Sequence, residues 1–109
     1  MSELGKGSVR TNISSDVGTV FVDGSFAFHM QGDFRQAYEE VAVKCKSIKI
    51  DLDRANYMDS SGLGMLLVMK KFLDNKDMAY EIVGSKGQTL DLLQLTHFNK
   101  YFKINGKGG

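Results

Sequence analysis

Hydrophobic and polar positions follow two different periods along this chain. Phe34, Ala37, Tyr38, Val41, Ala42 and Cys45 recur at i, i+3, i+4, i+7, i+8 and i+11, which lines one face of a helix. Asp33, with Gln36 three residues later, has the pattern of a capping box for that helix. Residues 47–52 alternate instead, setting Ile48, Ile50 and Leu52 against Lys49 and Asp51, the period of a strand. Residues 9–13 and the β-branched, aromatic run 19–22 predict two further strands joined as a hairpin. Asp16-Val17-Gly18 offers its turn chemistry, with Gly18 able to take positive φ. A second helix is expected from about Ser60 to Asp74, ended by Asn75. Residues 78–83 predict a strand, and Ser85 with Gln88 caps a third helix containing Leu90, Leu92, Leu93 and Leu95. Residues 101–104 supply a short last strand.

The expected order is β-β-α-β-α-β-α-β, an α/β fold. Its four- to five-stranded sheet is mostly parallel, because strands separated by helices need right-handed crossovers, and only the opening hairpin is antiparallel. Such sheets place function at the C-terminal ends of their strands, in loops that lead into helices. Residues 56–64, NYMDSSGLG, occupy one of these loops.

A helix start leaves backbone N–H groups without partners and carries the positive end of the peptide dipoles. A Ser at the N-cap accepts one of those bonds, and a hydroxyl there is well placed to carry phosphate. Gly62 and Gly64 cost about 1 kcal/mol each against Ala in an exposed helix interior, and their missing side chains let another group come close. At about 100° per residue, Gly62, Met65, Leu66, Met69, Phe72 and Leu73 share the side assigned to the sheet. Ser60, Gly64, Leu67 and Lys71 fall opposite, with Val68 beside them. An apolar strip starting at a modifiable serine has the character of a docking surface. A plain helix cap explains Asp59-Ser60-Ser61 equally well, and the third helix is an alternative cover for Leu67.

Composition narrows the function classes. The 109 residues suit one domain (residues 1–109, core about 9–104, flexible Gly-rich tails), with 42% hydrophobic and 25% charged residues. A formal net charge of +1, with lysines spread along the chain, disfavours direct nucleic-acid or acidic-membrane binding. Cys45 has no partner for an internal disulfide, residues 1–10 lack a signal-peptide core, and no apolar run reaches the roughly 20 residues of a bilayer span. A cytoplasmic protein without membrane insertion is expected. His29 and His97 lack companions at metal-ligand spacing, and Cys45 lies on an apolar helix face. Asp51 and Asp53 read as solvated charge. No serine has a His-Asp relay, and Gly84-Ser85-Lys86-Gly87 lacks phosphate-loop spacing. No enzyme, metal or cofactor is therefore expected. Phe26, Phe28 and Met30 fit either a partner surface or a strand extension turned into the core.

Residues 58–64, Met58-Asp59-Ser60-Ser61-Gly62-Leu63-Gly64, resemble the signature of STAS-domain anti-sigma factor antagonists, and the element order matches over roughly residues 9–104. The resemblance implies a single STAS domain that binds a kinase-type anti-sigma factor and thereby frees a sigma factor. It implies a GHKL-type serine kinase that phosphorylates the serine directly after the motif Asp, here Ser60, and a PP2C-type phosphatase that removes the phosphate. Ser61 is then the neighbouring hydroxyl and Asp59 shapes the loop. Partner contacts are expected from Asp59, Ser60, Ser61, Gly62, Gly64, Leu67, Val68 and Lys71. Two features depart from the family. Its Gly-Glu-Leu-Asp is replaced by Gly24-Ser25-Phe26-Ala27, which removes both carboxylates, and the chain ends soon after Ile104, without a final helix. The third helix or a partner is expected to cover that sheet face. STAS domains also serve as accessory subunits of membrane transporters such as lipid-transport ATPases, which is the alternative role. A nucleotide-binding module or small enzyme is disfavoured.

Overall fold

The computed structural model describes residues 7–106; of the Gly-rich tails expected at residues 5–7 and 106–109, residues 5, 6 and 107–109 lie outside the described residues, whereas Gly106 belongs to the last strand, paired with Ser85. The elements are β1 (Ser8–Ser14), β2 (Val17–Phe26), a 3-10 turn (Phe28–Met30), α1 (Gln31–Lys44), β3 (Ser47–Asp51) and β4 (Ala55–Met58). They continue with α2 (Ser60–Asp74), β5 (Ala79–Ser85), α3 (Gly87–Leu95), a 3-10 turn (Phe98–Lys100) and β6 (Lys103–Gly106). The sheet runs β1-β2-β3-β5-β6, with β4 also paired to β2. Only β1 with β2 is antiparallel; every other pair is parallel.

This is the expected α/β architecture with one strand more. After β3 the chain turns through Leu52–Arg54, held by Ala55 N–H donating to the Leu52 carbonyl at 3.0 Å and Gly24 N–H to Arg54 at 3.0 Å. It then rejoins β2 further along, where Gly24, Ser25 and Phe26 pair Ala55, Tyr57 and Met58. β4 is in effect the second half of β3. Four residues with two adjacent exposed positions, Asn56 and Tyr57, carry no alternation, so sequence periodicity assigned them to a loop.

Each crossover moves the chain in the same direction across the sheet, from β2 to β3, then β5, then β6. Right-handed connections therefore put the helices on one face. Register aligns Gly18, Ile48 and Tyr80 on that face, and Val20, Ile50, Ile82 and Ile104 beside them. Val20, Ile50 and Ile82 are completely buried, as are Leu66, Met69 and Leu73 of α2. Phe26, Phe34 and Tyr38 continue the core as edge-on ring pairs 4.8 and 5.3 Å apart. The opposite face carries Thr19, Lys49, Glu81 and Lys103 in one row. There Glu81 lies 4.0 Å from Lys49 and 3.9 Å from Lys103. That face stays open, and α3 packs instead beside β4, so the expected cover by the third helix is not formed.

Three local expectations change. The hairpin turns at Ser15, which takes φ 58, and Gly18 lies inside β2 without positive φ. Glycine is needed there for space, because a Cβ would sit 2.2 Å from Cγ1 of Val41 on α1. Asp33 does not cap α1, which starts two residues earlier from a 3-10 turn, with Met30 at its N-cap and no side-chain cap bond. Ser85 ends β5 as a buried residue rather than capping α3. Lys86 holds the N-cap position, and Thr89 closes the turn through Lys86 N–H at 3.4 Å and the Lys86 carbonyl at 2.9 Å.

Candidate functional site

The loop between β4 and α2 is fixed from three sides. Asp59, not a serine, is the N-cap of α2. Its Oδ1 accepts the N–H groups of Ser61 at 2.9 Å and Gly62 at 3.3 Å. The N-terminus is therefore not bare, since its second and third N–H groups already face a carboxylate. Ser60 is the first residue of the helix and is exposed, while Ser61 is half-buried.

Gly62 seats the first turn. A Cβ there would lie 2.5 Å from the carbonyl oxygen of Phe26 and 2.7 Å from Cγ of Met58. Gly62 is buried, so its part in the site is this close approach and not the partner contact expected of it. Gly64 is the opposite case: it is exposed, and a Cβ would meet nothing within 4 Å.

The third support is a residue that sequence reasoning placed elsewhere. Gln88, expected to close the cap of α3, reaches the last residue of β4. Its Oε1 accepts Met58 N–H at 2.8 Å and its Nε2 donates to the Met58 carbonyl at 2.7 Å. One amide side chain thus satisfies both backbone groups directly before Asp59, as a neighbouring strand would. Only tertiary proximity 30 residues apart reveals it.

The outward side of α2 is as the helical wheel predicted. Leu67 is 42% and Val68 61% exposed, and Ser60, Gly64 and Lys71 are exposed with them. The run Phe26, Phe28, Met30 splits: Phe26 and Met30 join the core, while Phe28 is 67% exposed. Phe28 borders a groove of about 260 Å³ between α1 and α2, together with Phe34, Arg35, Ser61, Met65 and Val68. The apolar strip therefore continues from α2 across to α1, which periodicity on α2 alone could not show. Tyr38 also lines the groove, and burial pushes its phenol pKa up, with Glu39 adding to the effect, so it stays neutral. Arg35 at the rim donates to Glu39 at 3.0 Å.

The other candidate groups are dispersed. His29 and His97 are exposed on separate elements, and Cys45 is a buried free thiol. Lys86 of the glycine-serine-lysine turn lies 3.2 Å from Asp53. Among the described residues no group of three or more His, Cys, Asp or Glu could hold a metal ion, and no helix is long and apolar enough to cross a membrane.

The gathering of the helices on one face of a mostly parallel sheet, with a serine displayed at the start of α2, defines the class, and comparison with known proteins agrees. The STAS domain model matches residues 8–107, and the chain belongs to the STAS domain family. It is 33% identical over 87 residues to STAS-domain containing protein PA14_20770 of Pseudomonas aeruginosa (strain UCBPP-PA14), covering 80% of this chain and 86% of that protein. Among solved structures it resembles an anti-sigma factor antagonist from Mycobacterium paratuberculosis, with a TM-score of 0.83 and 22% identity over 96% of this chain and 90% of that one. It also resembles the anti-sigma factor antagonist SpoIIAA in its unphosphorylated form, at TM-score 0.74 and 14% identity over 89% and 87% of the two chains. A further likeness, to SLC26A9, has a TM-score of 0.70 at 8% identity and covers 93% of this chain but only 22% of that one.

Proposed function

We propose that this chain is an anti-sigma factor antagonist of a bacterial partner-switching pathway. While unphosphorylated it binds a GHKL-type anti-sigma factor, a serine kinase that phosphorylates Ser60 and so releases it; a PP2C-type phosphatase resets it. The observation that carries this reading is the exposed Ser60 hydroxyl at one end of an apolar strip, Leu67, Val68 and Phe28, that nothing in the described residues covers. The protein acts as a cytoplasmic docking module with no catalysis of its own.

Charge explains the switch. Phosphate adds about −1.5 to −2 charges at pH 7. Asp59 already occupies the donors of Ser61 and Gly62, so the new dianion gains little from the helix end and stands beside a carboxylate. It projects into solvent, where a docking partner must desolvate it. A penalty of a few kcal/mol weakens binding roughly a hundredfold or more. Ser60→Asp is expected to lose the anti-sigma factor, whereas Ser60→Ala retains it and accepts no phosphate. Equal retention of both variants in a pull-down removes the proposal.

The likeness to SLC26A9 favours a second reading, a STAS subunit attached to a membrane transporter such as a lipid-transport ATPase. Affinity capture from the native cell with intact-mass measurement separates the two. A GHKL-type kinase in the eluate and one added phosphate support the first, and a transporter ATPase supports the second.

A further inference from the structure

β1 is the outer strand of the sheet and pairs β2 over seven consecutive residues without a register break. No strand pairs its other edge among the described residues. Exposed edges normally carry a guard such as proline, lysine, a bulge or very short length. β1 has seven residues, SVRTNIS, with none of these. Its one charge, Arg10, is engaged within the chain, 3.2 Å from the Asp23 carboxylate and 4.8 Å over the Phe21 ring.

A second observation lies on α1 above that edge. A polar hollow between the two elements is lined by Val9, Thr11, Asp33, Gln36, Ala37 and Glu40. Lys44 falls on the same flank, one turn beyond Glu40. From its N-terminal to its C-terminal end the flank reads Asp33, Gln36, Glu40, Lys44, all exposed. The three charged groups among them form no ion pair with other described residues, unlike Arg35 with Glu39 on the same helix.

We propose that this edge is a homodimer seam, in which two copies pair antiparallel through β1 about a two-fold axis at Thr11. In that register Val9 faces Ile13 of the second copy, Arg10 faces Asn12 and Thr11 faces itself. Apolar thus meets apolar and no like charges oppose. A shift that sets the axis at Arg10 would place two guanidinium groups opposite each other. The helix flank obeys the same symmetry. Gly18, level with Ile13, sits under Val41 and Cys45. Moving two strand residues to the level of Thr11 is about 6.6 Å, or about four helix residues, which brings the middle of α1, near Tyr38, over the axis. Positions at similar distances on either side of that point meet: Asp33, five residues before Tyr38, with Lys44 of the second copy, six after it, and Gln36 with Glu40, two residues either side. Acid at one end of the flank and base at the other are complementary in the antiparallel arrangement that the strand requires. The groove beside Ser61 lies on the other flank of α1, so the seam neither uses nor blocks the site around Ser60.

Sedimentation velocity of the full chain over a concentration series tests this. A reversible dimer is expected. Lys44→Glu and Asp33→Lys, both exposed substitutions, should each weaken it by about tenfold or more, because each reversal acts twice across the axis. The double variant D33K/K44E restores the opposite-charge pair and should recover dimerisation, and Thr11→Cys should give a disulfide-linked dimer on mild oxidation. A wild-type chain that stays monomeric at its highest soluble concentration overturns the proposal. So does a dimer equally tight in Lys44→Glu, or a double variant no tighter than either single one. None of these outcomes depends on whether Ser60 is phosphorylated.

Discussion

Two glycines two residues apart in α2 have opposite consequences, and their contrast shows what the loop needs. At Gly62 a methyl group would strike the Phe26 carbonyl, so the helix would have to lift off β2 and β4. Gly62→Ala is expected to destabilise the fold by about 1–3 kcal/mol, as overpacking does. At Gly64 a methyl group meets only solvent. Gly64→Ala should stabilise by roughly 0.5–1 kcal/mol through helix propensity alone. Urea unfolding of both variants measures the difference, and equal effects would contradict the geometry. A helix residue kept at glycine where space permits alanine suits a surface that another molecule must approach closely. Asp59 belongs to the same scale: it caps the helix and also sets the electrostatic surroundings of Ser60.

At the level of elements, the amide of Gln88 joins α3 to the end of β4. Gln88→Ala leaves Met58 N–H and C=O without their partner, which should cost about 1–3 kcal/mol if water cannot replace it. Hydrogen exchange should rise first at Met58 through Ser61, ahead of β3 and β5, and unchanged protection there would refute the link. This pairing also marks where sequence reading stops. α2 was legible to both ends because a cap precedes an apolar period of 3.6 and Asn75 follows it. The start of α3 was not. Ser85 has the residue type of a cap, yet β5 runs on to include it, and Gln88 serves a strand 30 residues away. β4 was missed for a related reason: four residues become a strand only because β2 is long enough to pair a second time. Local pattern identifies elements that bury a stripe, and long-range pairing decides the rest.

For the whole molecule, the stability against pH has one structural marker. Lys70 donates to Asp74 at 2.8 Å and Tyr80 donates at 2.6 Å, which ties α2 to β5. These bonds, Lys70's foremost, hold the Asp74 carboxyl below its ordinary value of about 3.9. A carboxyl whose folded pKa is depressed contributes stability above its unfolded pKa and loses it as pH falls through the folded one. Unfolding free energy should therefore decline as pH falls below about 4, and Asp74→Asn should flatten that part of the curve. An unchanged acid limb in the variant would assign the loss to other carboxylates.

The bare side of the sheet has a practical meaning. With the helices gathered on one face, the Lys49–Glu81–Lys103 row looks away from α2, whose Leu67 and Val68 point the other way. A label, bead or fused domain anchored on that row would leave the hemisphere bearing Ser60 unobstructed, so the fold has a natural back by which it can be held.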